Sequence, residues 1–123
     1  MTVSNSHLKV GVVGPCTAGK STLTKMLHAA GINAHHIAQE HSYVPYMWQR
    51  ITNPDVLVFL DVSFPVSEQR RKMNWTIHDY QEQHHRLRHA RQHAHLYILT
   101  DSLTPQEVLE QIMTYIHQFP FSQ

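Results

Sequence analysis

Residues 14–21 read GPCTAGKS, a full match to the pattern G-x4-G-K-[ST]. Each part has a use against a polyphosphate. Gly14 lets the chain leave a strand, and Gly19 removes a Cβ that would hold the backbone away from phosphate. Pro15 carries no N–H, but Cys16, Thr17, Ala18, Gly19 and the residues through Thr22 offer successive N–H groups that can surround a β-phosphate. They do so at a helix N-terminus, whose partial positive charge favours an anion. Lys20 can span the β- and γ-phosphates, and the Ser21 hydroxyl can hold Mg²⁺. The chemistry expected of residues 14–22 is therefore binding of a nucleoside triphosphate with Mg²⁺.

Phosphoryl transfer needs, besides the loop, a carboxylate and further positive charge. Two carboxylates compete. Asp61 ends the apolar run VLVFLD, the Walker B pattern of an acid that meets Mg²⁺ through water, and Glu40 stands in AQEHSYVPYMW. Positive charge gathers between Arg70 and Arg91, where six basic residues (Arg70, Arg71, Lys72, Arg86, Arg88, Arg91) face two acids, Asp79 and Glu82. Arg88 and Arg91 are three residues apart on one helix face. As a group these arginines can neutralise a triphosphate, while any one of them also suits a solvated helix face. Arg50 is a further acceptor-side candidate, and Trp48 and Tyr43 can either stack on a base or pack. His85, His89 and His93 follow one another at four-residue spacing, from which two imidazoles can reach a transition metal. Cys16, inside the loop, is either a reactive thiol or an inert loop residue.

These groups must be held by regular elements. Leu8–Val13 is β-branched and apolar, a buried strand that delivers the loop. From Lys20 the spacing of Leu23, Met26, Leu27 and Ala30 predicts a helix closed by Gly31. Ile32–Ala38 reads as a second strand, and Pro45 opens a short helix stopped at Asn53-Pro54. Val56–Val62, apolar on both faces, predicts a central parallel strand. Pro65 opens a helix through Met73. A single long helix, capped by Asn74 or Thr76, is expected to run to about His95. Leu96–Leu99 is a last strand, and Thr104-Pro105-Gln106-Glu107 is a capping box ahead of the terminal helix. Strands alternating with helices predict a three-layer α/β/α domain over residues 1–123, with a mostly parallel sheet of about four strands and a loose tail at 1–6.

Composition narrows the function. Ten Lys+Arg against nine Asp+Glu leave a formal charge of +1, so nucleic acid is not expected as a partner. A lone cysteine excludes an internal disulfide and points to a reducing, cytoplasmic setting. No apolar run reaches the roughly 18 residues that span a membrane. Gly11, Gly14, Gly19 and Gly31 are the four glycines, and none follows. The D-x-x-G and N-K-x-D motifs of GTPases are absent, and the glycines that an ABC-type signature needs are missing.

On GPCTAGKS and the order of its elements the chain resembles the P-loop NTPases over most of its length. Within them it is similar to the small nucleoside and nucleotide kinases. LDVSFPVSEQRRKMNW resembles their strand leading into an arginine-bearing lid, and HLYILTDSLTPQEVLEQIMTYI their final strand, Thr-Asp turn and last helix. The resemblance implies a P-loop fold and an ATP–Mg²⁺ phosphotransferase acting on a nucleoside, nucleotide or similar small acceptor. It implies a purine triphosphate as ligand, with Lys20, Arg70, Arg71, Arg88 and Arg91 on the transferred phosphate. Glu40 would be the acceptor contact or base, and Asp61 the metal helper. Only about 17 residues separate Ala38 from Val56, where such kinases place a further strand and a helical acceptor segment. Three expectations follow: a small acceptor, a second copy of the chain completing the site, or a nucleotide-binding regulatory or assembly module without transfer.

Overall fold

The computed structural model describes residues 8–71 and 74–118. The tail expected at 1–6, and Lys72 and Met73 at the end of the third predicted helix, lie outside them. Four strands, β1 (Lys9–Val13), β2 (Asn33–His36), β3 (Val56–Asp61) and β4 (Leu96–Leu99), form one sheet in the order β2-β1-β3-β4. All three pairings are parallel. Among the described residues five helices lie between the strands, α1 (Lys20–Ala29), α2 (Met47–Ile51), α3 (Phe64–Arg71), α4 (Ile77–Arg86) and α5 (Arg88–His93), and α6 (Pro105–Gln118) follows β4. A single 3₁₀ turn, Gln39–His41, follows β2.

Alternation along the inner strands divides the core between the sheet's two faces. Val10, Val12, Val58 and Leu60 pack with Leu23 and Leu27 of α1 and with Val108, Ile112 and Ile116 of α6. Leu57 and Phe59 point the other way, toward Trp48, Leu87 and Ala90. Burying each large side chain contributes about 1.5–3 kcal/mol, so β1 and β3, lined on both sides, are the firmest supports in the chain. The loop that leaves β1 is thus anchored on an interior strand. Among the described residues no helix is long and apolar enough to cross a membrane.

Local signals account for the helix ends. Gly31 takes φ +83° after α1, donating to His28 O while Ile32 N–H donates to Leu27 O, the paired closing bonds of a left-handed cap. Thr76 and Asp79 form a reciprocal capping box on α4, and Thr104 and Glu107 do the same for α6. The long helix expected to reach His95 is two, α4 and α5, broken at Leu87. The freed carbonyls are taken by side chains. Arg86 O accepts from Gln39 Nε2 at 3.2 Å, and His85 O from Arg88 Nη1 at 2.7 Å. A side chain that inserts into the helical ladder in this way ends it.

Candidate functional site

Three chain segments meet at the C-terminal end of β1. The first is the loop 14–19. Gly14 leaves β1 at φ +152°, and a Cβ there would lie 2.0 Å from Leu60 O, so only glycine can turn beneath the end of β3. Gly19 has no atom within 4 Å of an added Cβ; its requirement is the φ of +96°. Thr17 is also left-handed, at φ +73°, a conformation that costs a β-branched residue energy and clusters at working sites. Lys20, Ser21 and Thr22 then open α1, where helix geometry leaves their N–H groups without intrahelical acceptors. Two expected donors are missing from this nest: Cys16 N–H is spent on Gln83 Oε1 at 2.8 Å and Ala18 N–H on Pro15 O at 3.3 Å.

The second segment is the turn that carries Glu40. Gln39, 1% exposed, locks it by donating to Val44 O and Arg86 O and accepting from Trp48 N–H. Glu40 Oε2 meets Lys20 Nζ at 2.9 Å, with 4% and 5% of the two side chains exposed. The same ammonium donates to Gly14 O at 2.7 Å and Pro15 O at 3.0 Å, so all three of its protons are held within the protein. His41 Nε2 lies 3.7 Å from Glu40 Oε2 and 3.9 Å from Cys16 Sγ.

The third segment is α3. Arg70 donates to Thr17 O at 2.9 Å, and to Thr100 O and Oγ1, tying the loop to the end of β4. Arg71 lies over Trp75 and lines the opposite side of the loop. Two cavities result. One, of about 310 Å³, is bounded by Thr17, Thr22, Arg70, Thr100, Leu103 and Val108. The other, of about 320 Å³, is bounded by Cys16, Lys20, Ser21, His36, Glu40 and Arg71. Among the described residues, the buried side-chain oxygen or nitrogen atoms without a hydrogen-bond partner are Thr17 Oγ1 and Glu40 Oε1, and both residues border the second cavity. Burial, with the Lys20 charge next in importance, holds the His36 imidazole below its ordinary pKa.

The remaining candidates are placed elsewhere. Asp61 was expected to help a metal, but its oxygens are already taken. Oδ1 accepts from Val62 N–H at 2.8 Å and faces His84 Nε2 at 3.0 Å, while Oδ2 accepts from Tyr97 O–H at 2.6 Å. Burial pushes this carboxyl up, and the bonds from His84, Tyr97 and Val62 outweigh it, so its pKa lies below the ordinary value. For His84 burial acts downward, and the bonds to Asp61 and Tyr80 O carry the net shift upward. Asp61 is thus engaged by three neighbours within the protein, and Ser21 is exposed in the first turn of α1.

Arg88 and Arg91, expected at the phosphate, line neither cavity beside the loop. Arg88 caps His85 O, and the Arg91 guanidinium sits 3.9 Å above the Tyr97 ring. Trp48 is packed, 5% exposed, with its indole N–H on His89, whereas Tyr43 is 82% exposed beneath the Arg86 guanidinium. Arg50 is exposed on α2. The break at Leu87 separates His85 from His89 and His93, whose rings meet each other at 4.3 Å. Sequence reasoning missed Gln83, which binds both the backbone and the sulfur of Cys16 from 67 residues away. A lone glutamine on a helix carries no signal for that. It also missed His36, whose place on the β2 edge beside the loop was legible from the strand order. No protein-family model matches this chain, and neither does any curated protein or solved structure.

Proposed function

We propose that this chain is a P-loop protein that binds a purine nucleoside triphosphate with Mg²⁺ at residues 14–22 and transfers the γ-phosphoryl group to a small acceptor. One observation carries this reading: the unpartnered Thr17 Oγ1 and Glu40 Oε1 lie at one loop, beside a buried lysine and two flanking arginines. Buried polar atoms left without partners are rare, and here both belong to residues that line one cavity. The N–H groups of Thr17, Gly19 and the first turn of α1 would hold the phosphates. Mg²⁺ would be held by Ser21 Oγ and would offset the charge on the β- and γ-phosphates.

Lys20 is the residue that must move. Its ammonium rests on Glu40, Gly14 O and Pro15 O, and a phosphate oxygen replacing Glu40 keeps its charge compensated. Glu40, once released, has a free carboxylate facing the second cavity, where it can orient an acceptor hydroxyl or take its proton. Arg70 and Arg71 flank the loop from α3 and would stabilise charge on the transferred group. Arg88 and Arg91 are left out, because both are engaged away from the loop.

The reading is tested by ATP titration of the wild type and Lys20→Ala. It stands if the wild type binds and the variant loses at least about tenfold, and equal, negligible binding of ATP and GTP by both proteins overturns it. A γ-labelled ATP screen over nucleosides, nucleotides and small sugars tests transfer. One observation favours a second reading, a nucleotide-binding module without transfer: the acceptor side consists of a single 3₁₀ turn and the five-residue α2. Label appearing only as inorganic phosphate supports it.

A further inference from the structure

We propose that Cys16 Sγ, a carboxylate oxygen of Glu40 and a ring nitrogen of His41 form a binding site for a borderline divalent cation, with zinc as the best match. This goes beyond the nucleotide reading and does not need it. The three ligand atoms all lie within 4.8 Å of one another. Two of the separations are 3.9 Å, Sγ to His41 Nε2, and 3.7 Å, His41 Nε2 to Glu40 Oε2. A tetrahedral zinc with bonds of about 2.0–2.3 Å sets its ligands about 3.3–3.7 Å apart. Those two separations exceed the tetrahedral edges by under about 1 Å, and His41, with 60% of its side chain exposed, can make most of the adjustment.

The donor set selects the metal. One thiolate, one imidazole and one carboxylate suit zinc or cobalt and are a poor match for magnesium or calcium, which prefer oxygen alone. The ligands come from two separate segments, the loop after β1 and the turn after β2, so a bound ion would staple one to the other. That turn is held in advance by the three hydrogen bonds of the buried Gln39.

Two further observations point to an ion rather than to packing. Glu40 Oε2 faces both Lys20 and His41 while Oε1 is buried without a partner, so this carboxylate has acceptor capacity for a metal beyond the Lys20 ion pair. Gln83 Nε2 donates to Cys16 Sγ at 3.1 Å, the kind of outer hydrogen bond that orients a metal-bound thiolate. Three protein ligands leave the fourth tetrahedral position for water or an anion.

The test uses the full chain, stripped of metal by a chelator and studied without nucleotide. Titration with cobalt alone is expected to give one equivalent of a thiolate-to-cobalt charge-transfer band, and zinc is expected to abolish it. Cys16→Ser should remove the band. His41→Ala should weaken zinc at least about tenfold in competition with a chromophoric chelator, and Gln83→Leu should do so by about tenfold. His89→Ala/His93→Ala, which disrupts the other close histidine pair, should change nothing. Circular dichroism of each variant separates lost ligation from lost folding, and Cys16→Ser and His41→Ala both alter side chains outside the core. A charge-transfer band that is absent, or that survives Cys16→Ser, overturns the proposal, as does zinc affinity unchanged by His41→Ala. ATP binding that fails while cobalt binds leaves this site standing and removes only the nucleotide reading.

Discussion

Replacing Glu40 by leucine strands the Lys20 ammonium where 5% of its side chain meets solvent, with two backbone carbonyls as its remaining partners. Replacing Lys20 by methionine strands the carboxylate instead, one of whose oxygens already lacks a partner. Removing one member of a buried ion pair costs about 3–5 kcal/mol, because an uncompensated charge stays behind. Replacing both by apolar residues of similar volume removes that penalty. What then remains is the loss to Gly14 O, about 1–3 kcal/mol for one carbonyl left unsatisfied, since Pro15 O keeps the Ala18 N–H bond. Lys20→Met/Glu40→Leu is thus expected to be more stable than either single variant, with a coupling of at least about 3 kcal/mol. Urea unfolding followed by circular dichroism measures it, and with slopes of roughly 1–3 kcal/mol per molar the midpoints of the singles should fall by about 1 M or more. Single effects below about 1 kcal/mol that simply add would refute the reasoning, since they would mean the two charges remain hydrated. A second arm adds Mg²⁺–ATP. Its phosphates would give Lys20 back a counter-charge, so ATP should raise the midpoint of Glu40→Leu more than that of the wild type.

Gly14→Ala should destabilise the fold by roughly 3 kcal/mol or more in the same assay, since its Cβ would overlap Leu60 O at a φ that alanine avoids. Arg70→Ala should weaken ATP several-fold and Arg88→Ala should leave it unchanged in calorimetric titration, because only Arg70 touches the loop. The pair formed by His84 and Asp61 should tune stability with pH. The raised His84 pKa contributes stability that is full below the ordinary histidine value and is lost as pH rises through its folded value. The lowered Asp61 pKa contributes stability that is present above the ordinary carboxyl value and is lost as pH falls through its folded value. The stability difference between wild type and His84→Asn should therefore be largest between about pH 4 and 6.5 and shrink above it, and a pH-independent difference would rule the coupling out.

The parts of this molecule that were legible in its sequence are those dictated by local chemistry. The β-branched runs of β1 and β3, the capping box at Thr104 and the left-handed cap at Gly31 each carry their own instruction, while the choice of Thr76 over Asn74 as the cap of α4 came from the structure. The placement of Gly14 and Lys20 after β1 and at the head of α1 follows from the same run of residues. What was not legible depends on partners distant in the chain. The helix break at Leu87 is made by Gln39, 47 residues away from the carbonyl it takes. Periodicity at residues 83, 87, 90 and 94 is the same whether or not that ladder is interrupted. Asp61 looked like a metal helper because an acid ending a buried strand always does. Its three hydrogen-bonding neighbours come from α4, β4 and its own next residue, and no spacing rule announces them.

The site's own unmet needs bear on which ligand it takes. At rest the loop's strongest cation is neutralised from within, so an incoming anion must offer more than the carboxylate it displaces. A singly charged oxyanion would only exchange one counter-ion for another, leaving Glu40 buried and uncompensated. A polyphosphate spanning Lys20 and the N-terminus of α1 meets charge at both, and a bound cation near Cys16 and His41 would give the displaced Glu40 a new partner. Thr17 Oγ1 and Glu40 Oε1 are thus the two ends of one requirement. On the proposed reading, an oxygen-rich ligand would meet the loop's need and a cation that of the turn closing it.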